Sequence, residues 1–509
     1  MDGPVFTWRR FPALLALASS CVTSSVASPT PQESTTNSSF WPQSCCDALR
    51  SSLGSKVSLP NSSAYNASIS SYWAQQETLI HPACVVSPTS ARDVSAALKV
   101  LVPRRCKFAV RGGGHGAVAG IANIQDGVTI DLRGLNSITV SSDRKTVAVG
   151  GGQKWASVYA KLQPLGLAAS GGRNGPVGVG GSTLGGGFGY FSTQVGFACD
   201  NVARFEVVLA NGDIVTASPT SNANLWKALR GGGANFGIVT QFVLNTFPLG
   251  SIWAGDAYFS PEALEAQTQA LYSLTANPNF DVNTGLVVNY AFSPSTGPII
   301  TNQYVYAQPI INPPTFQAFT SSPGQLMNST SVTTLAAFSA AQEPISPNGF
   351  QQVTFSSLFK NDLQMLRDLW NIYTASTQNV AAVTGIQWSL SLEPVVPAIA
   401  AQSSARGGNV LGLSIPQEGL IMVLLTATFS SASDYPTVQT AADQLLANII
   451  QAAKSKGVYA PYVDMNHAGK SQDPIATYGA ANQAFLKAVA RQYDPTGVFQ
   501  ALMPGGFKV

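Results

Sequence analysis

Three glycine clusters dominate the first half of the chain. They are Arg111-Gly112-Gly113-Gly114-His115-Gly116, Gly178-Val179-Gly180-Gly181-Ser182-Thr183-Leu184-Gly185-Gly186-Gly187 and Arg230-Gly231-Gly232-Gly233-Ala234-Asn235-Phe236-Gly237. Without a Cβ, successive backbone N–H groups can close around an anion. No Gly-Lys-Ser/Thr follows any cluster, and no G-x-G-x-x-G with a later acidic residue is kept, so neither a P-loop nor a dinucleotide fingerprint is present. Tight turns and bulges would account for one such cluster. Three together favour loops that cradle the phosphates of a cofactor. His115 sits inside the first cluster, and only His81 and His467 are its fellow histidines. An imidazole there would lie against the bound cofactor, able to hydrogen-bond to it or to bond covalently.

Loops of this kind need strands to hold them. Cys84-Val85-Val86 reads as a strand, and Ser90-Ala91-Arg92-Asp93 as a capping box with Asp in place of Glu. Val94, Ala97, Leu98 and Leu101 then recur at helical spacing, and Pro103 stops the helix before the strand 107–110. Further strands are predicted at 128–132, 138–140 and 147–149, a helix at 155–165, and a hairpin around Asn211-Gly212. The mixture predicts an α+β fold. Beyond Gly250 the glycine clusters cease. Helices are predicted at 261–274 and 356–374 and strands at 386–392 and 420–429, which marks a second domain. From Pro461 the texture changes again, with a helix at 482–491 ended by Tyr493-Asp494-Pro495.

Composition narrows the class. The 509 residues are 45% hydrophobic and 10% charged, where about 25% charged is typical. That excludes disorder. A net charge of +3 without a basic stripe sets aside nucleic-acid binding. No apolar run reaches about 18 residues, so no membrane anchor is expected. Arg9-Arg10, a short apolar run and Ser25-Val26-Ala27 have the order of a signal peptide over 1–27. Residues 28–44, rich in Ser, Thr and Pro, read as an exposed leader. A secreted chain could carry N-glycans at Asn37, Asn61, Asn66 and Asn328. Cys21 would leave with the signal. Of Cys45, Cys46, Cys84, Cys106 and Cys199 at least one stays free, and Cys45 or Cys46 is expected to bridge to Cys106 or Cys84. No metal site is expected.

The string Phe108-Ala109-Val110-Arg111-Gly112-Gly113-Gly114-His115 resembles the flavin-attachment motif of the berberine-bridge-enzyme-like FAD oxidoreductases, of the vanillyl-alcohol-oxidase superfamily with its PCMH-type FAD-binding domain. The segments 177–187 and 225–240, and Tyr478-Gly479, Asn482 and Tyr493-Asp494-Pro495 near the end, resemble further motifs of that family. The likeness covers 84–248 and 472–507 well and the middle loosely. It implies an FAD-binding domain in two parts, 28–250 (core about 80–250) and 461–509, with a sheet-and-helix substrate domain, 251–460, inserted between them. It implies a covalent bond from His115 to the flavin 8α-methyl carbon. Arg111, Gly112, Gly113, Gly114, Gly116, Asn174, Val177, Gly178, Gly180, Gly181, Gly187, Gly237 and Val239 are the implied cofactor contacts. Asn174 stands where many members carry a second, cysteinyl link, so a single link is expected. Val177 falls where members gate oxygen, or is simply core. Many members use a Tyr-x-Asn-Tyr base. The matching string here is Tyr462-Val463-Asp464-Met465-Asn466-His467, and Met465 cannot take a proton. His467 is the natural replacement, since its ordinary pKa suits a base near neutral pH. Tyr462, Asp464 and Glu393 are weaker candidates, and Glu393 before Pro394 reads better as a surface carboxylate.

The expectation is therefore a secreted FAD-linked oxidase. It would take a hydride from a small alcohol, amine or activated C–H carbon and reduce O2 to H2O2, as in fungal secondary metabolism, with oxidative cyclisation open. The alternatives are a carbohydrate oxidase of the same family and a flavin- or ligand-binding protein with little turnover.

Overall fold

Three larger sheets carry the chain, and each meets a different burial problem. The computed structural model describes residues 40–509. The proposed signal segment, most of the leader and Asn37 lie outside those residues.

The first sheet orders Val57–Ser58, Cys84–Val86, Val128–Asp131 and Phe108–Arg111, with parallel pairing among the last three. The helix Ala91–Leu101 makes the crossover. Ser90 caps it by accepting from the Asp93 amide, and Val94, Ala97, Leu98 and Leu101 are its buried face. The helix Phe40–Leu53 packs against this unit, so residues 40–44 are helical rather than leader. Consecutive helix residues project about 100° apart. Cys45 and Cys46 therefore reach different neighbours, Cys106 and Cys84. Both adjacent cysteines bridge, and Cys199 is the buried free thiol. The C-terminal tail completes this layer. Val498, Phe499, Leu502 and Met503 join its core, and the Phe108 amide donates to Leu502 O at 2.8 Å.

The second sheet is antiparallel, ordered Ile138–Val140, Thr146–Gly150, Ile238–Asn245, Val202–Val208 and Ile214–Ala217. The Asn211-Gly212 turn joins the strands Val202–Val208 and Ile214–Ala217, with Gly212 at φ 83°.

The third and largest sheet is antiparallel throughout and central to the site. Along Leu420–Phe429, Ile421, Val423, Leu425, Ala427 and Phe429 pack with the helices Leu264–Thr275, Leu363–Thr377 and Tyr435–Ser455. Leu420, Met422 and Leu424 face the other way, into the core shared with Val149, Val179 and Phe242. The period of two thus buries both faces, and the sheet is a wall between the helix layer and the glycine loops. Its strand Gln351–Lys360 corrects the helix expected over 356–374. Val353, Phe355 and Phe359 alternate onto the helix-covered face. The helix begins only at Leu363, where the Asp362 carboxylate accepts the Met365 amide at 2.7 Å. The helix Tyr435–Ser455 was not foreseen.

Candidate active site

The three glycine clusters converge on one cavity of about 430 Å³. Its further walls include Thr354 and Thr426, paired in register on the large sheet, the segment Met465-Asn466-His467, and the tail from Gly505 to Lys508. The first two clusters meet backbone to backbone. A Cβ on Gly113 would stand 2.4 Å from Gly178 Cα, and one on Gly178 would stand 2.5 Å from Gly113 N. Only glycine permits that approach at either position. The amides of Gly113, Gly114, His115 and Gly116 donate to no acceptor among the described residues. A Cβ on Gly181, by contrast, would meet nothing of the protein within 4 Å. Asn174 Oδ1, also on the cavity wall, is buried without a partner. Free amides, a surface bare of side chains and an orphaned polar atom are what a bound phosphate-bearing group would satisfy.

Two histidines face this cavity. The half-buried His115 ring lies flat against Trp73, with centroids 4.3 Å apart and planes 9° from parallel. Trp73 is itself fixed by its amide, which donates to Gly114 O at 3.0 Å. Burial pushes the His115 imidazole down to about 3, and the charges of Lys154 and His467 push the same way. At neutral pH it is therefore an uncharged ring with a lone pair. His467 lines the same cavity, its Nδ1 2.7 Å from Oδ2 of the buried Asp464. That leaves Nε2 for the cavity.

Residues 82–218 match the model of an FAD binding domain family. The chain is 34% identical to the FAD-dependent monooxygenase sdcF of Emericella nidulans, over 91% of this chain and 98% of that one. It is 32% identical to the bifunctional solanapyrone synthase of Alternaria solani, over 91% and 88% of the two chains. The solved BBE-like 1 of Physcomitrella patens shares the fold, with a TM-score of 0.72 at 18% identity over 89% of this chain and 97% of that one. The chain belongs to the berberine-bridge-enzyme-like FAD-linked oxidoreductases. It is an FAD-dependent oxidoreductase, and the free amides and bare glycine surface described above fit that cofactor.

As in any berberine-bridge-like enzyme, the sequence motifs had to be brought together by the fold, and most of them are. His115, Gly112, Gly113, Gly114, Gly116, Asn174, Val177, Gly178, Gly180, Gly181, Gly187, Gly237 and Val239 all line the cavity, as does His467. Arg111 does not. Its guanidinium turns inward under the ring of Tyr72 at 3.8 Å and donates to Ser68 O and Ser71 O, so it holds the loop from behind. Tyr462 is buried away from the cavity, stacked on Tyr478, and burial raises its phenol well above its ordinary value. Such a group is a poor proton acceptor. Glu393 is no surface carboxylate. It is 1% exposed and ion-paired with Arg173, which does line the cavity. Met465, where the resemblance implies a tyrosine base, lines the cavity too, beside Asn466, whose Nδ2 donates to Ser182 O at 2.9 Å. Sequence reading missed Trp73, Arg173, Thr354 and Thr426. Arg173 stands next to Asn174 and just ahead of the second glycine cluster, a signal that could have found it, whereas Trp73, Thr354 and Thr426 arrive from other elements and nothing in their spacing links them to the clusters.

One buried carboxyl braces the His115 loop. Glu77 is fully buried and accepts the amides of Gly120 and Ala122 at 3.2 and 2.9 Å. Burial raises it to about 7, against the opposing pull of those amides and of Arg111. The folded state therefore holds this proton more tightly than the unfolded chain does. Its contribution is complete below the ordinary value of 4.5 and is lost as pH rises through 7. Relative to Glu77→Gln, the wild type is expected to lose about 3 kcal/mol between pH 4.5 and 7. Denaturant unfolding of both proteins across that range checks it, and parallel pH profiles would exclude it.

Proposed function

We propose that this enzyme is an oxidase. It would convert a small alcohol, amine or activated C–H substrate of secondary metabolism to its two-electron-oxidised product, with O2 reduced to H2O2. The observation that carries the reading is the pairing, in one cavity, of a neutral His115 inside a glycine loop with the oriented His467–Asp464 dyad. FAD, when bound, supplies the two-electron acceptor and its return of electrons to O2. The chain's residues do the rest. His115 would hold the flavin through a single 8α bond, since the Asn174 side chain offers no sulfur for a second. Gly112, Gly113, Gly114, Gly116, Gly178, Gly180, Gly181, Gly187 and Gly237 would offer the cofactor a surface free of side chains, and Val177 and Val239 would add apolar contacts from the same cavity wall. The Asp464 carboxylate accepts Nδ1–H of His467 and thereby fixes the tautomer whose Nε2 takes the substrate's O–H or N–H proton. Thr354 and Thr426 offer hydroxyls from the sheet wall. The two-part FAD-binding domain (28–250 and 461–509) around the insertion 251–460 fits the tail's packing on the first sheet.

Relatives such as sdcF are named monooxygenases, so the fate of oxygen decides between the readings. An oxidase releases one H2O2 per substrate and leaves no label from ¹⁸O2 in the product. A monooxygenase does the reverse. The test of the cofactor claim is acid precipitation of purified protein, followed by mass mapping. Flavin on the His115 peptide is expected, and free flavin in the supernatant would remove the covalent claim. His467→Ala should lower turnover by about 10²- to 10⁴-fold and abolish the acid limb of the pH–rate profile, as loss of a general base does. An unchanged profile would remove His467 from the role.

The two disulfides fit an oxidising compartment. No helix among the described residues is long and apolar enough to cross a membrane. Together with the signal-like N-terminus they support routing to the secretory pathway. Asn61, Asn66 and Asn328 are all exposed and remain the proposed glycan sites.

A further inference from the structure

The cavity wall holds an ion pair that this chemistry does not use. Arg173 lies on the loop that carries Asn174 and Val177 and lines the cavity, and its Nη1 donates to Glu393 Oε1 on the strand Gln387–Val395. The side chains are 18% and 1% exposed. A buried pair is a weak source of stability, because desolvation consumes most of what the attraction returns. In a chain with 10% charged residues its presence calls for another reason. Glu393 engages one corner of the guanidinium. Among the described residues no acceptor takes the N–H groups of Nε and Nη2, and neither atom is sealed from the cavity. Burial disfavours the charge on Arg173, but Glu393, Tyr190 and Asp464 together raise its pKa above the ordinary value. Asp464 is the partner of His467, so the guanidinium shares the dyad's neighbourhood. Among the described residues no aspartate or glutamate side chain lines the cavity.

We infer that Arg173 is a specificity-determining subsite for an oxygen anion on the substrate, a carboxylate or the oxygen of an ionised enol or phenol, and that Glu393 holds its open edge toward the cavity. A planar guanidinium edge with two unused N–H directions matches such an oxygen. A substrate ammonium would meet this cation with no carboxylate on the wall to offset it. The inference deepens the proposed function by naming a substrate class within it, and its test is independent of the covalent link.

Isothermal calorimetry of the flavin-loaded protein with benzoate, benzyl alcohol and benzylammonium decides it. Benzoate should bind about tenfold more tightly than benzyl alcohol, the gain of a charge-assisted hydrogen bond, and benzylammonium most weakly. Arg173→Gln should remove the preference for benzoate and leave benzyl alcohol unchanged. Glu393→Gln, which keeps an acceptor for Nη1 but removes the neutralising charge, should tighten benzoate. If the pair is only a fastener between loop and sheet, both substitutions weaken all three probes alike, and that result overturns the assignment. So does a wild-type ranking with benzylammonium first or with benzoate no better than the alcohol. Should Arg173→Gln fail to fold, Arg173→Lys keeps the charge and must keep the ranking. Flavin content, read on the same samples by acid precipitation, tests the cofactor reading separately.

Discussion

His115→Ala protein is expected to give a colourless acid pellet, with its flavin in the supernatant, and turnover lower by on the order of 10²-fold. The imidazole is neutral at working pH because burial, Lys154 and His467 all disfavour its charge, so its nitrogen lone pair is available for bonding. Trp73 fixes the ring plane by stacking at 4.3 Å, so little rotational freedom is lost on attachment. Removing the ring removes the anchor and leaves Trp73 with no partner on that face. A flavin held only by loop amides samples more positions, and misplacement of about 1 Å is enough to cost that rate. A yellow pellet from this variant, with flavin mapped to another peptide, would refute the assignment.

The second large effect separates two glycines that look equivalent in the sequence. Gly113→Ala places a methyl 2.4 Å from the backbone of Gly178. Neither loop can yield without moving its strand or helix, so a loss of about 3 kcal/mol is expected from overpacking alone, together with loss of bound FAD. Gly181→Ala does the opposite to the empty fold. Its methyl meets nothing of the protein within 4 Å, and it lies within the short helix Val179–Leu184. Cofactor-free protein should be unchanged or gain up to about 1 kcal/mol from helix propensity. The methyl would, however, stand on the surface offered to the cofactor, and FAD retention should fall. Thermal unfolding with and without FAD distinguishes the two. Equal destabilisation of the cofactor-free forms would contradict the division of roles.

Much of the site was legible because glycine and histidine carry local meaning. A run of glycines after a strand reports a backbone requirement at that place, and His115 reports chemistry because it interrupts such a run. The helix Ala91–Leu101 and the strand Leu420–Phe429 were legible for the same reason, since cap and periodicity are local. The segment 356–374 was not. Its Ser and Leu spacing suits a helix, and only pairing with Leu420–Phe429, some seventy residues later, makes its first part a strand. Glu393 was misjudged likewise. Preceding a proline, it has the local setting of a surface residue, and its partner Arg173 lies 220 residues away.

The amino-acid order by itself determined the family, the glycine loops, the histidine set among them and the departure at Met465, because each is written within a few neighbouring residues. Only the tertiary structure decided which proton acceptor faces the cavity, that both adjacent cysteines are bridged, that Trp73 covers His115, and that a buried Arg173–Glu393 pair forms part of the wall. Those are distances between elements far apart in the chain. They are set by how three sheets bury their faces against one another, and no local pattern encodes them.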